Sequence, residues 1–186
     1  MVCFVGCYTD DAHPEGIHVI DVDLESGALR RISTVRLPNA IYQAQSPGGR
    51  YLISCMRGGL AAFRIKDDAL VPTDRVEWGG QCLCHVSVMP DGNRVCWADY
   101  LAGEAGSIGF DEKSERLTRL FVTPLSGEFP RDFDFLPGDR VALTALERSG
   151  KLVSLRGDSD AGSFSEIAVL GGFYRPSSVS ILSRPR

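Results

Sequence analysis

Short apolar runs separated by turn residues fill this chain from end to end, and no segment carries the 3.6-residue apolar spacing of a core-facing helix. Four of the runs open on glycine: Gly16-Ile17-His18-Val19-Ile20, Gly59-Leu60-Ala61-Ala62-Phe63, Gly106-Ser107-Ile108-Gly109-Phe110 and Gly150-Lys151-Leu152-Val153-Ser154. They recur at intervals of 43 to 47 residues, the period of stacked or radially arranged modules that cannot bury their apolar faces alone.

One module is legible in full between residues 38 and 77. Tyr42-Gln43-Ala44-Gln45 reads as a short strand, Ser46-Pro47-Gly48-Gly49 as a turn and Tyr51-Leu52-Ile53-Ser54-Cys55 as a second strand. Arg57-Gly58-Gly59 turns into a third strand reaching Ile65, and Lys66-Asp67-Asp68 into a fourth from Leu70 to Val76. The same grammar returns from His85 to Val122 and from Asp132 to Val169, with Pro47, Pro90 and Pro137 keeping the period. The first module shows only three strands, Phe4 to Thr9, Gly16 to Asp21 and Leu29 to Val35, whereas Ser177 to Leu182 is one strand left over.

A repeated four-stranded unit of this kind predicts an all-β fold, a β-propeller of about four blades of four antiparallel strands. The C-terminal strand is expected to join the N-terminal blade and close the ring, which removes an open edge. The expected blades are residues 1–37 with 176–183, then 38–79, 80–123 and 128–171, within one domain. An open stack or a sandwich is the alternative.

Composition narrows the partners. A formal charge of -4, with Glu25 and Asp23 beside Arg30, Arg31 and Arg36, offers no basic surface with interleaved aromatics for nucleic acid. No apolar run approaches the length of a membrane span, about 20 residues. Met1 to Cys7 lacks a positive flank and breaks at Tyr8-Thr9-Asp10-Asp11, so a cytoplasmic location is expected. The six cysteines, five of them in or beside apolar runs, read as reduced core residues.

Several segments resemble the seven-bladed propeller lactonases, the family of the bacterial propeller-type 6-phosphogluconolactonase. They are Val5-Gly6-Cys7-Tyr8-Thr9 with Gly16-Ile17, Ser46 to Leu52, Gly59 to Ile65, Cys84 to Gly92, Pro130-Arg131-Asp132-Phe133 and the closing Pro176 to Leu182. Members of that family are nearly twice as long, so the resemblance implies that residues up to about Val122 stand for the first three blades and those from Phe129 for the last. The seam falls at Thr123-Pro124-Leu125-Ser126-Gly127. Wedge angles inherited from seven blades would leave a gap, and exposed blade faces would then favour a homodimer.

In a propeller the first strand of each blade lines the central channel. Counting five positions before each turn proline gives Tyr42, His85 and Asp132, and the step before them gives Ile41, Cys84 and Arg131. The last strand adds Ser177 and Ser178. Lactone hydrolysis needs a base for water and a positive group for the tetrahedral oxyanion. The resemblance implies a sugar lactone or phosphosugar as ligand, with His85 as base and Arg131 as anion binder. Tyr42, Asp132, Tyr8 and Tyr100 are the candidate substrate-binding residues. Against these stand structural readings: a His bonded to a neighbouring carbonyl, and Arg131 braced by Asp132, Asp134 or Glu128.

No cofactor is expected, and no metal. In Cys82-Leu83-Cys84-His85, strand alternation sends the two cysteines to one face and the histidine to the other. The family's remaining His, Arg and Glu candidates fall, by the resemblance, in the absent middle blades. Two functions therefore stand side by side: a metal-independent lactonase acting on a compound such as 6-phosphogluconolactone, and an incomplete propeller that binds a small anion or a protein.

Overall fold

The computed structural model describes residues 1–136, 140–158 and 163–180. They form fifteen strands in four antiparallel sheets, and no helix among the described residues is long and apolar enough to cross a membrane. The first sheet holds β1 (Val2–Gly6), β2 (Glu15–Val22) and β3 (Leu29–Arg36). The second runs β4 (Gln43–Gln45), β5 (Tyr51–Met56), β6 (Gly58–Lys66) and β7 (Ala69–Gly80), in that spatial order. The third takes β8 (Leu83–Val88), β9 (Arg94–Asp99), β10 (Glu104–Asp111) and β11 (Arg116–Pro124). The fourth takes β12 (Pro130–Phe135), β13 (Val141–Leu146), β14 (Lys151–Asp158) and β15 (Ser163–Gly171).

The glycine repeat has a backbone cause. A Cβ on Gly16 would sit 1.8 Å from the Leu37 carbonyl oxygen, one on Gly59 1.9 Å from that of Val76, and one on Gly106 2.3 Å from that of Phe121. Only glycine lets the last strand of a sheet approach its neighbour this closely. A second shared device follows a few residues on. The register of the last strand pair shifts at Val19/Ile20, Ala62/Phe63, Ser107/Ile108 and Ser154/Leu155, one bulge at the same place in each sheet. Bulges increase local twist, and here all four sheets acquire it together.

Between successive sheets lie three apolar cores. Ile17, Val19, Leu52 and Phe63 join the first sheet to the second. Ile53, Leu60, Trp97 and Ile108 join the second to the third. Cys96, Ala105, Val153 and Phe164 join the third to the fourth, with Leu125 of the expected seam packed against them. Blade-like sheets therefore meet across residues 123–127 as closely as elsewhere, and Lys151 Nζ donates to the Ser126 carbonyl at 2.7 Å.

Three expectations need adjustment or fall outside these residues. β1 stops at Gly6, because Cys7 N–H still donates to Gly16 O at 2.8 Å but Thr9 N–H turns to the Asn39 side chain. Residues 177–180 form no strand, so the first sheet has three strands and no closing fourth among the described residues; Ile181 and Leu182, like the Pro137 turn, lie outside them. All six cysteines are free thiols, and Cys55 and Cys96 are core residues as expected, but Cys3 is exposed because nothing covers its side of the first sheet.

Candidate functional site

The starts of β4, β8 and β12 come together at one end of the sheets, with β8 touching both of the others. Each start is anchored locally. Tyr42, just before β4, accepts the Cys55 N–H on its carbonyl at 2.9 Å. The approach to β8 is held by Asp99, which is fully buried and accepts backbone N–H groups from Gln81 (2.6 Å), Cys82 (3.0 Å), Leu101 (3.1 Å) and Ala102 (3.0 Å). In β12, Thr144 Oγ1 donates to the Asp132 carbonyl at 3.1 Å.

Two of these inner strands are bulged at matching places. Leu83 pairs with Asp99 but His85 with Ala98, leaving Cys84 extra; Pro130 pairs with Leu146 but Asp132 with Ala145, leaving Arg131 extra. A bulge re-aims the side chains around it. Strict alternation across Cys84 and His85, expected from an unbroken strand, is lost here.

A pocket of about 370 Å³ opens between these strand starts, lined by Tyr8, Ile41, Tyr42, Cys84, Arg131, Asp132 and Ser177. Tyr8, Tyr42, Arg131 and Asp132 thus share one space. His85 does not line it. Its side chain is 8% exposed, stacked beside the Tyr42 ring at a centroid distance of 4.6 Å, with Nδ1 placed 2.8 Å from Asp132 Oδ1. The other carboxylate oxygen of Asp132 accepts the Val179 N–H at 3.0 Å.

Burial pushes the His85 pKa below its ordinary 6.5, with the nearby Asp132 and Asp134 carboxylates pulling the other way. The imidazole is therefore neutral at pH 7. Burial, with Asp132 next to it, raises the Tyr42 phenol. Cys84 has its Sγ 3.0 Å from the Pro130 carbonyl, and burial pushes its thiol up to about 12, so it is no thiolate nucleophile.

Arg131 faces the pocket from above Tyr100, its guanidinium carbon 5.1 Å from the ring centroid. Its Nε lies 3.6 Å from Glu147 Oε2, so the brace is Glu147 rather than Asp132, Asp134 or Glu128. Glu147 in turn accepts from Arg175 Nε at 3.0 Å, and this cation holds its carboxyl below the usual range. Tyr100 sits beneath Arg131 and outside the pocket lining. Glu147 and Arg175 were missed as site residues, although Glu147 stands 47 positions after Tyr100 and the repeat itself pointed to it. Among the described residues no group of His, Cys, Asp or Glu is placed to hold a metal ion.

The sequence profile described as Lactonase, 7-bladed beta-propeller matches residues 2–114. The chain belongs to this family. Among its relatives, the 6-phosphogluconolactonase of Formosa agariphila is 29% identical over 135 residues, covering 67% of this chain and 38% of that protein. A candidate 6-phosphogluconolactonase of Bacteroides uniformis superposes with a TM-score of 0.78 at 15% identity, over 90% of this chain and 51% of that one. A second, from Bacteroides fragilis, gives 0.76 at 15% identity, over 98% and 58%. This lactonase-family chain therefore spans between 38% and 58% of the length of these relatives. The matched profile ends just before β11, so Arg131, Asp132 and Glu147 lie beyond it.

Proposed function

We propose that the four sheets are propeller blades in one domain, closed toward its centre by the C-terminal segment, and that the pocket hydrolyses a sugar lactone such as 6-phosphogluconolactone in the cytoplasm. The observation that carries this reading is the placement of a cation, Arg131, and a carboxylate, Asp132, on the wall of one pocket, with His85 Nδ1 2.8 Å behind that carboxylate.

The chemistry uses His85 and Asp132 as one unit. A water seated against Asp132 adds to the lactone carbonyl and gives its proton to the pair, with neutral His85 supporting the carboxylate from behind. Arg131 stabilises the oxyanion or holds the phosphate of the substrate by paired hydrogen bonds. When the tetrahedral intermediate collapses, the acyl–oxygen bond of the ring breaks and the proton returns from the pair to the departing ring oxygen. Tyr8 and Tyr42 flank the sugar, and Tyr100 keeps the guanidinium flat against its ring. No metal or cofactor enters any step.

The test is lactone hydrolysis by the unmodified chain beside His85→Ala and Arg131→Ala. Loss of one oxyanion donor costs on the order of 100-fold in kcat, and that is the fall expected for Arg131→Ala. Equal rates in all three proteins would remove the proposed site.

One observation favours a second reading, a non-catalytic module for a small anion or a protein. Among the described residues Arg131 is the sole cation in the pocket lining, and it already has Glu147 beside it, while His85 is shut away from the ligand. Binding of 6-phosphogluconate by calorimetry, with no turnover of the lactone, would select that reading.

A further inference from the structure

Every internal core joins two faces of fixed kind, one looking back toward the preceding sheet and one looking forward to the next. Strand registers align the sheets position by position. Val5, Ser54, Trp97 and Thr144 occupy one place on the backward faces, and Leu29, Leu70 and Leu117 another. In the second, third and fourth sheets these places are buried, but in the first Val5 is 44% exposed and Leu29 71%. On the forward faces Val76, Thr123 and Leu170 correspond. Thr123 is 7% exposed and Leu170 61%.

The described residues thus end in two different faces, each lacking the kind of partner the other presents. The forward face of the fourth sheet offers Leu152, Ala168 and Leu170; the backward face of the first offers Val5, Ile20 and Leu29. Among the described residues no core cluster joins these two sheets. An isolated apolar sheet face of this kind is the usual mark of an interface.

We infer that two copies of this chain associate head to tail, each fourth sheet packing its forward face on the backward face of the other copy's first sheet. Head-to-tail contacts made twice about a two-fold axis close without leaving a free face. The product is a ring of eight sheets, within the usual range of propellers. Two Arg131–Asp132 corners then face one central channel, so each pocket gains a wall from the other copy. This rests on the propeller reading and not on the catalytic one.

The internal cores specify which residues meet. Trp97, the counterpart of Val5, packs in one cluster with Val76, the counterpart of Leu170. Val5 of one copy therefore meets Leu170 of the other. Both are exposed in the single chain, so substitution leaves the fold intact.

Sedimentation velocity at micromolar concentration is expected to give a dimer for the unmodified chain. Val5→Lys and Leu170→Glu should each give a monomer with an unchanged far-ultraviolet circular dichroism spectrum. The double variant, which sets opposite charges across both contacts, should dimerise again. A monomeric unmodified chain overturns the inference. So does a dimer that only one of the two substitutions breaks, which would mean like faces meet, and so does an open series of larger oligomers.

Discussion

His85 Nδ1 lies 2.8 Å from Asp132 Oδ1, a contact that reaches from the third sheet to the fourth and joins positions 47 residues apart in sequence. It makes the floor of the pocket depend on the packing of two sheets as well as on the residues themselves.

That contact has a pH signature. His85 is held below its ordinary 6.5 chiefly by burial, so the unfolded chain binds this proton more readily than the native one. The native state therefore has its full His85 contribution above pH 6.5 and loses it as the pH falls through the depressed value. Urea denaturation between pH 7.5 and about 5 should show stability declining, and His85→Gln should flatten that part of the profile. An unchanged slope in the variant would mean that His85 is not the titrating group.

Asp99 is the brace behind the site. Its carboxylate takes four backbone N–H groups around the entry to β8 while fully buried. Asp99→Ala leaves these donors without an acceptor and should cost about 3 kcal/mol or more by urea denaturation. Asp99→Asn should cost less, because its remaining oxygen can still serve Cys82, Leu101 and Ala102, which all bond Oδ1.

Glu147 connects the pocket to the C-terminal segment by accepting from Arg175 and lying against Arg131. Glu147→Ala should free residues 172–180 from this anchor. Limited proteolysis read by mass spectrometry should then cut that segment faster, while KM for the lactone rises through a wandering Arg131. Unaltered cleavage would show that the Val179–Asp132 bond holds the segment without help.

The thiols should react in an order set by burial. Cys3 is exposed, whereas Cys55 and Cys96 are buried and the Cys96 thiol is pushed up to about 12. Iodoacetamide at pH 8 should label Cys3 readily in the monomeric Val5→Lys variant and more slowly where the proposed dimer covers that face, and should reach Cys55 and Cys96 only in denaturant. Early labelling of Cys96 would mean that the third and fourth sheets separate readily.

Much of the fold was legible because its repeat has a backbone cause. Gly16, Gly59 and Gly106 each stand where a carbonyl oxygen excludes any Cβ, although strand register sets Gly106 opposite Trp97, level with Ala61 rather than with Gly59. Turn prolines then located Tyr42, His85 and Asp132 at the same end. What alternation could not show was the pair of bulges at Cys84 and Arg131, which depend on register against β9 and β13 rather than on local pattern. For the same reason the withdrawal of His85 behind Asp132 was hidden. Glu147 was missed because the carboxylates weighed for Arg131 were those near it in sequence, whereas the one beside it comes from the end of the neighbouring strand β13.

Four sheets joined by three cores form a row with a middle and two ends. In the single chain each sheet is steadied mainly by its neighbours, so until a second copy covers the ends local opening costs most in the second and third sheets and least in the outer two. The pocket draws Tyr8 from the first sheet's end of the row and Arg131 and Asp132 from the fourth, while Tyr42 and Cys84 sit in the middle. Its ligand is thus gripped by the two parts of the molecule that breathe most, against a wall that breathes least. A bound ligand would slow amide exchange at both extremities of the chain together.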